Sequence, residues 1–353
     1  MRKFNRLSSL LLTPDLWPLI SCLFLLASVG SAQQLTIHHI DVGQGDCIFI
    51  QTSRSALLVD AGNTGKGRSV VVPYLKSLKV SRLSYAVATH YHADHIGGLD
   101  EVLSSFDVDT IFDRGTLHPP PKTKAFLQYL SALEGRTRIT VTPGAEYQLA
   151  PDIVLRFVAS DGRVAASRDG PSLAGADRPD ENSLSVAFTI TCLGAEGAGA
   201  AGSERGALFT YFTGGDLTGF DVGNAVDLET PVAAVVGHAD ACKVGHHGSS
   251  RSANPVFISS LSPSCVFISV GENNGYGHPS AETVATLDSQ PTVRWIYQTE
   301  GKELRSSKQR IVGTSVLKFY ARGDSSCFAV EWNVNGRHHD CYRCGVVKLT
   351  AAP

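Results

Sequence analysis

Thr89-His90-Tyr91-His92-Ala93-Asp94-His95 is the stretch on which the reading of this chain turns. It has the form H-x-H-x-D-H, so three imidazoles and a carboxylate fall between positions 90 and 95. Strand-like runs at 56–60 and 85–89 precede it, and Ile96-Gly97-Gly98-Leu99 follows. A strand therefore ends near His90 and a glycine turn leads into a helix. Neutral imidazole nitrogen and carboxylate oxygen converging at a strand end suit a borderline ion such as zinc. The plainer alternative is a solvated polar turn with scattered histidines. The tight spacing, and the polar residues that recur at later strand ends, argue against it.

Outward from this stretch, alternating or apolar runs predict strands over 35–41, 47–51, 56–60 and 85–89 upstream of it. Helical spacing is expected over 68–78, with Pro73 inside it. Downstream, helices are expected over 100–106, 123–133, 224–228, 255–261 and 281–287. Strands are expected over 108–112, 138–141, 146–149, 153–159, 184–190, 207–212, 241–245, 265–270 and 292–297. Residues 161–180 read as a long polar loop of the kind that carries function. Residues 194–206, rich in Gly, Ala, Ser and Glu, read as a surface insertion between two strands. Hairpin-rich halves with outer helices and no Rossmann fingerprint fit two packed sheets covered by helices.

The chain has 353 residues, 43% of them hydrophobic and 18% charged, the profile of a globular protein with a substantial core. Residues 1–32 have the tripartite form of a secretory signal: Arg2, Lys3 and Arg6, an apolar run, then Gly30-Ser31-Ala32 before Gln33. Cleavage is expected after Ala32, which places the protein outside the cell or in the periplasm. An uncleaved anchor is the alternative, weakened by Pro18 and by the shortness of the run. No later stretch is apolar enough to predict an integral membrane domain. Without 1–32 the formal charge moves from −2 to −4, which excludes a broad cationic face for nucleic-acid phosphates. Any phosphate recognition must be local. Cys47, Cys192, Cys242 and Cys265 sit in apolar runs, and Cys327, Cys341 and Cys344 cluster near the end. An exported protein would use the last group in a disulfide. The expected organisation is a signal over 1–32, a main domain over 33–300, and a strand-rich extension over 301–353. In the extension 316–320 and 327–332 form a hairpin, and His338 and His339 are exposed.

Asp60, Asp216, His246, His247 and His278 all fall where strands end, and strand ends pointing one way make one shared site. Two ions about 3.5–4 Å apart would need such a set. H-x-H-x-D-H resembles the signature of the metallo-β-lactamase superfamily. Ile40-Asp-Val-Gly-Gln-Gly-Asp46, Leu58-Val-Asp-Ala-Gly62, Phe212-Thr-Gly-Gly-Asp-Leu217, Lys243-Val-Gly-His-His-Gly-Ser249 and Tyr276-Gly-His-Pro279 resemble the ordered motifs of ComEC-type hydrolase domains. The resemblance covers roughly residues 35–300 and implies an α+β fold, a four-layer αββα sandwich with a metal site at one edge.

By motif, it implies that His90 and His92 hold a first ion and Asp94 and His95 a second. Asp216 is the implied bridging carboxylate. One of His246 and His247 supplies the last ligand, with His246, nearer the strand end, preferred. Asp60 corresponds to an aspartate that orients ligands, and His278 to a histidine beside substrate, for phosphate contact or leaving-group protonation. The superfamily's third histidine at the first ion has no counterpart. His118 falls in that interval but lies beside Pro119-Pro120-Pro121, a loop setting, so Asn182 oxygen or water is expected there.

The cofactor expected is Zn²⁺, one or two ions, with Mn²⁺ also suited to mixed nitrogen and oxygen donors. A water on such an ion loses its proton near neutral pH and attacks as hydroxide, with Asp94 as ligand and proton acceptor. The function expected is an exported hydrolase of phosphodiesters, in small molecules or nucleic acid. Hydrolysis of a carbonyl substrate (lactone, thioester or β-lactam) and a non-catalytic, metal-stabilised binding domain are the alternatives.

Overall fold

The computed structural model describes residues 33–165, 179–194, 206–301, 304–322, 325–334 and 336–344. The expected signal and most of the loops at 161–180 and 194–206 lie outside these residues. The chain opens with β1 (Gln33–His39), β2 (Ile48–Thr52), β3 (Ala56–Val59), β4 (Arg82–Val87), β5 (Asp107–Asp113) and β6 (Arg138–Thr140). It crosses to a second sheet with β7 (Glu146–Ala150), β8 (Ile153–Ser160), β9 (Arg163–Val164), β10 (Ala187–Leu193) and β11 (Ala207–Thr213). That sheet continues through β12 (Ala241–Lys243), β13 (Cys265–Ile268), β14 (Trp295–Gln298) and β15 (Gln309–Ile311). The chain then returns to the first sheet with β16 (Ser315–Arg322), β17 (Ser325–Asn333) and β18 (Arg337–Arg343). The first sheet runs β18-β17-β16-β1-β2-β3-β4-β5-β6, and the second β15-β14-β13-β12-β11-β10-β8-β7, with β9 on β8.

Alternation along each strand decides which layer a side chain meets. In β2, Ile48 and Ile50 face the other sheet while Phe49 faces helices. In β13, Cys265 and Phe267 face inward, and Val266 and Ile268 outward. Three buried clusters result. One lies between the sheets, around Leu35, Phe188, Phe209 and Phe319. A second, with Phe49, Leu75, Leu99 and Phe126, lies under the helices Val72–Ser77, Leu99–Leu103 and Lys124–Ala132. A third, with Val232, Phe257 and Leu287, lies under Glu229–Val236, Pro255–Leu261 and Ala281–Ser289. Three interfaces separate four layers, an αββα sandwich.

Two local expectations fail for identifiable reasons. The helix expected over 224–228 begins instead at Glu229. The Asp227 carboxylate accepts from the Thr230 amide and hydroxyl, which makes 227 a start signal, and Pro231 falls in the first turn, where its missing N–H costs nothing. The strand expected from 184 starts at Ala187, because Glu181–Leu184 closes a tight turn in which Asp180 accepts from the Asn182 amide.

Strand direction places the site. β3 to β6 run parallel, and so do β11 to β15, which brings their C-terminal ends to one edge of the sandwich. The Val186 amide donates to the Thr89 carbonyl at 2.8 Å and ties the two sheets together at that edge. In the first sheet β16 pairs with β1 and with β17, so the 316–320 and 327–332 runs form adjacent strands. His338 and His339 lie exposed on β18. Among the described residues no helix is long and apolar enough to cross a membrane.

Candidate metal centre

The near wall of the site is one loop. It leaves β4 at Thr89 and ends in the short helix Ala93–Ile96. Behind it Asp60, at the end of β3, adopts a left-handed φ of 54°. Its carboxylate accepts from the Thr89 amide at 2.9 Å and the Thr89 hydroxyl at 2.7 Å, and lies 2.7 Å from His95 Nδ1. That contact fixes the His95 ring, so Nε2 points into the cleft, buried and without a hydrogen-bond partner. Gly45 is required against this loop: a Cβ there would stand 2.3 Å from the Asp94 carbonyl oxygen.

The far wall comes from separate turns of the second sheet. Asp216 follows β11, after Gly215, whose φ of +54° and contact with Thr89 exclude a side chain. After β12, His246 and His247 both adopt left-handed backbone, with φ of 46° and 54°. Such conformations cost about 1–3 kcal/mol each and persist where the surroundings over-determine them. His247 Nδ1 lies 2.8 Å from the Ser269 carbonyl oxygen, so Nδ1 carries the proton and Nε2 faces the cleft.

These walls bring two donor groups together. His90, His92 and Asp216 form one; Asp94, His95 and His247 form the other, with the atoms of each group within 4.8 Å of one another. Asp216 stands between them: Oδ2 is 3.5 Å from His247 Nε2 and 3.9 Å from His90 Nε2, and Oδ1 is 3.2 Å from His95 Nε2. The preference for His246 over His247 is not what the geometry favours. His247 is 1% exposed and completes the second group; His246 belongs to neither, with Nε2 3.8 Å from Asp216 Oδ2. Distance from the strand end does not decide this, because the left-handed turn carries the second ring inward.

Asn182 lines the cleft, its Oδ1 buried with no hydrogen-bond partner. His118 lies elsewhere, with Nδ1 3.1 Å from Asp161 Oδ2. His278 sits at the lip, stacked on the exposed ring of Tyr276 at 5.6 Å and 5.5 Å from the His246 ring. The cleft between them measures about 370 Å³.

Four participants had no assigned role in the sequence reading. Arg114, fully buried, clamps Glu181 at 2.8 and 2.7 Å and stacks over Tyr91 at 4.3 Å. Glu181 also accepts from the Tyr91 amide at 2.9 Å, so this pair fastens the Asn182 turn to the loop of His90 and His92. Asp46 and Lys243 lie buried beneath Asp216. Both stand inside the motifs quoted above, and a lysine in the apolar run Ala241-Cys242-Lys243-Val244 was the available signal.

The charges of this cluster call for cations. Burial works against an ionised Asp216, yet the imidazoles of His247, His95 and His246 hold its carboxyl well below the usual range. Burial opposes protonation of His247 too, but Asp216, Asp46 and Asp94 push it up to about 10, and Asp216 and Asp60 raise His95 well above an ordinary histidine. His278 is different: burial and the His246 and His247 rings lower it to about 4, so it is a neutral hydrogen-bonding group at pH 7 and not a ready proton source. His95 Nε2, His247 Nε2 and Asp216 Oδ1 are buried without hydrogen-bond partners, and their nitrogen and oxygen chemistry fits a divalent ion.

The chain's residues 40–164 match the family model described as the metallo-beta-lactamase superfamily. Over that span this chain is similar to the metallo-β-lactamase superfamily. The metallo-β-lactamase fold binds divalent metal ions, and the donor groups described above could hold such ions. ComE operon protein 3 of Bacillus subtilis (strain 168) is 24% identical over 303 residues, which cover 81% of this chain and 34% of that protein. Ribonuclease J of Synechocystis is 29% identical over 134 residues, covering 36% of this chain and 20% of that protein. This chain therefore spans about a third or less of the length of these relatives. Among solved structures, CmlA, a diiron β-hydroxylase from Streptomyces venezuelae, aligns with a TM-score of 0.42 and 14% identity, over 73% of this chain and 50% of that one.

Proposed function

We propose that this metallo-β-lactamase domain is an exported, metal-dependent phosphodiesterase. The observation that carries the reading is the pair of donor groups with Asp216 between them, at the floor of the cleft. Similarity to ComE operon protein 3 and to a ribonuclease supports phosphodiesters over carbonyl substrates. The proposed ligands are His90, His92 and Asp216 for one ion, and Asp94, His95, His247 and Asp216 for the other, with zinc or manganese as the ion.

Bound divalent ions would offset the charge of an anionic diester and ease deprotonation of water, which a chain of formal charge −2 cannot do with its surface. The chain's residues do the rest. Asp60 and the Ser269 carbonyl fix the His95 and His247 rings. Asp94, the half-exposed carboxylate of the set, accepts the proton as water oxygen bonds to phosphorus. The ester oxygen leaves as an alcohol and takes up that proton from solvent or from Asp94. Neutral His278 and the Tyr276 ring contact the substrate at the lip.

The deciding assay gives purified, ion-loaded protein bis(4-nitrophenyl) phosphate, nitrocefin and a simple lactone side by side. Ion-dependent turnover of the diester alone is expected. Turnover of a carbonyl substrate alone would overturn the reading. Export is tested separately: the mature protein's mass should place its first residue at Gln33, with a disulfide within 327–344.

A further inference from the structure

Lys243 ends β12 inside the sandwich and is 0% exposed. A buried ammonium is costly unless it is paired and hydrogen-bonded. Its Nζ contacts Asp46 Oδ2, donates to the Gly215 carbonyl at 3.0 Å and lies 3.9 Å from Asp216 Oδ1. Asp46 in turn reaches both rings of the second group, with Oδ1 3.4 Å from His247 Nδ1 and Oδ2 3.9 Å from His95 Nδ1. Its backbone amide donates to the Asp94 carbonyl at 3.1 Å.

The pair therefore touches every ligand of one donor group, or the turn that presents it. A pair serving only the fold would not need this placement. Asp46, Asp216 and His247 alone form a geometry able to hold a cation, and the lysine ammonium stands against both carboxylates of that triangle. Asp60 supports His95 from one side; Asp46, held ionised chiefly by Lys243 against the cost of burial, supports His247 from the other.

We propose that Lys243 is a built-in cation of the metal centre: through Asp46 and the Gly215 carbonyl it positions His247 and Asp216 and so sets the affinity of the second donor group for its ion. The proposal rests on reading the cleft as a metal centre. It requires no particular substrate.

The test is titration of ion-free protein with Zn²⁺ and with Mn²⁺ by calorimetry, with ion content after dialysis and melting curves on the same samples. Lys243→Met should bind one equivalent about 10–100-fold more weakly, the scale seen when a group behind a metal ligand is removed, and keep the other. Because Lys243→Met strands a buried carboxylate, the Asp46→Asn/Lys243→Met double variant is needed. It should recover the wild-type melting temperature without recovering the affinity. Wild-type affinity in Lys243→Met, or affinity that returns together with the melting temperature in the double variant, would make the pair purely structural and overturn the proposal. Failure of both variants to fold would do the same. If wild-type protein took up no divalent ion, the metal-centre reading itself would fall.

Discussion

The two donor groups lie on either side of Asp216 but are built to different standards. In the second, His95 is backed by Asp60 at 2.7 Å, His247 by the Ser269 carbonyl at 2.8 Å, and Asp46 with Lys243 stands beneath both rings. In the first, His90 and His92 lean on each other, with Nε2 and Nδ1 3.1 Å apart, and among the described residues the His90 Nδ1 has the Thr89 hydroxyl, at 3.2 Å, behind it. Asn182, which lines the same cleft, has a buried amide oxygen with no hydrogen-bond partner. Outer contacts fix ring orientation and ligand basicity, so the better-supported group should hold its ion more tightly. The difference teaches that one cleft can contain a resident position and an exchangeable one.

The strongest way to break this comparison is Asp216→Asn, which strikes both groups. Neither ion should remain after dialysis, and diester turnover should fall by about 10²-fold or more. Two equivalents retained in elemental analysis would show that Asp216 is not shared. Asp60→Ala should act on the second group alone, weakening one equivalent by about 10–100-fold in calorimetry while the other titrates as in wild type. A matching loss at both positions would erase the asymmetry. His278→Ala should leave ion content unchanged and lower turnover by about 10-fold, less than a general base contributes, because the ring is a neutral hydrogen-bonding partner. Asn182→Ala should be milder, weakening only the looser equivalent by a few-fold, whereas Asn182→His should tighten it. Equal tightening of both would place Asn182 between the groups.

The last check concerns the scaffold under both groups. Burial lowers His38 to about 4, with Lys318 assisting, and lowers His39 to about 3. Their folded values lie below the unfolded 6.5, so the stability they contribute is present above pH 6.5. It is lost as pH falls from 6.5 towards 4 and 3. The loss is about 1.4 kcal/mol per pH unit for each ring. Melting temperatures should therefore drop between pH 7 and 5, and less steeply in His39→Gln. Comparisons of the two ions belong above pH 6.5, and an unchanged melting temperature at pH 5 would contradict the burial argument.

Much of this was legible in the residues. H-x-H-x-D-H compresses a wall of the site into one loop, and the apolar runs at 48–50 and 57–59 announced strands, although only the fold shows which layer each side chain meets. What resisted was whatever depends on backbone that sequence does not encode locally. Two adjacent histidines look alike until a left-handed turn sends one inward. Asp227 signals a helix start only once Thr230 is seen to answer it. Lys243 reads as an oddity in an apolar run, because its partner Asp46 is almost two hundred residues away, on the other sheet. Arg114 is hidden for the same reason, since Glu181 reaches it across the sandwich.

The pairing of β1 with β16 has an architectural consequence. Gln33 lies opposite Tyr320, Tyr320 opposite Cys327, and Cys327 opposite Arg343. The points where the described body is entered and left thus stand three strands apart on one rim, about 14 Å at the usual strand spacing. A module with neighbouring ports can be spliced into a larger polypeptide, or reopened elsewhere and rejoined across its old ends by a short linker, without disturbing the catalytic edge. Insertion cassettes and circular permutants are therefore natural formats for this domain.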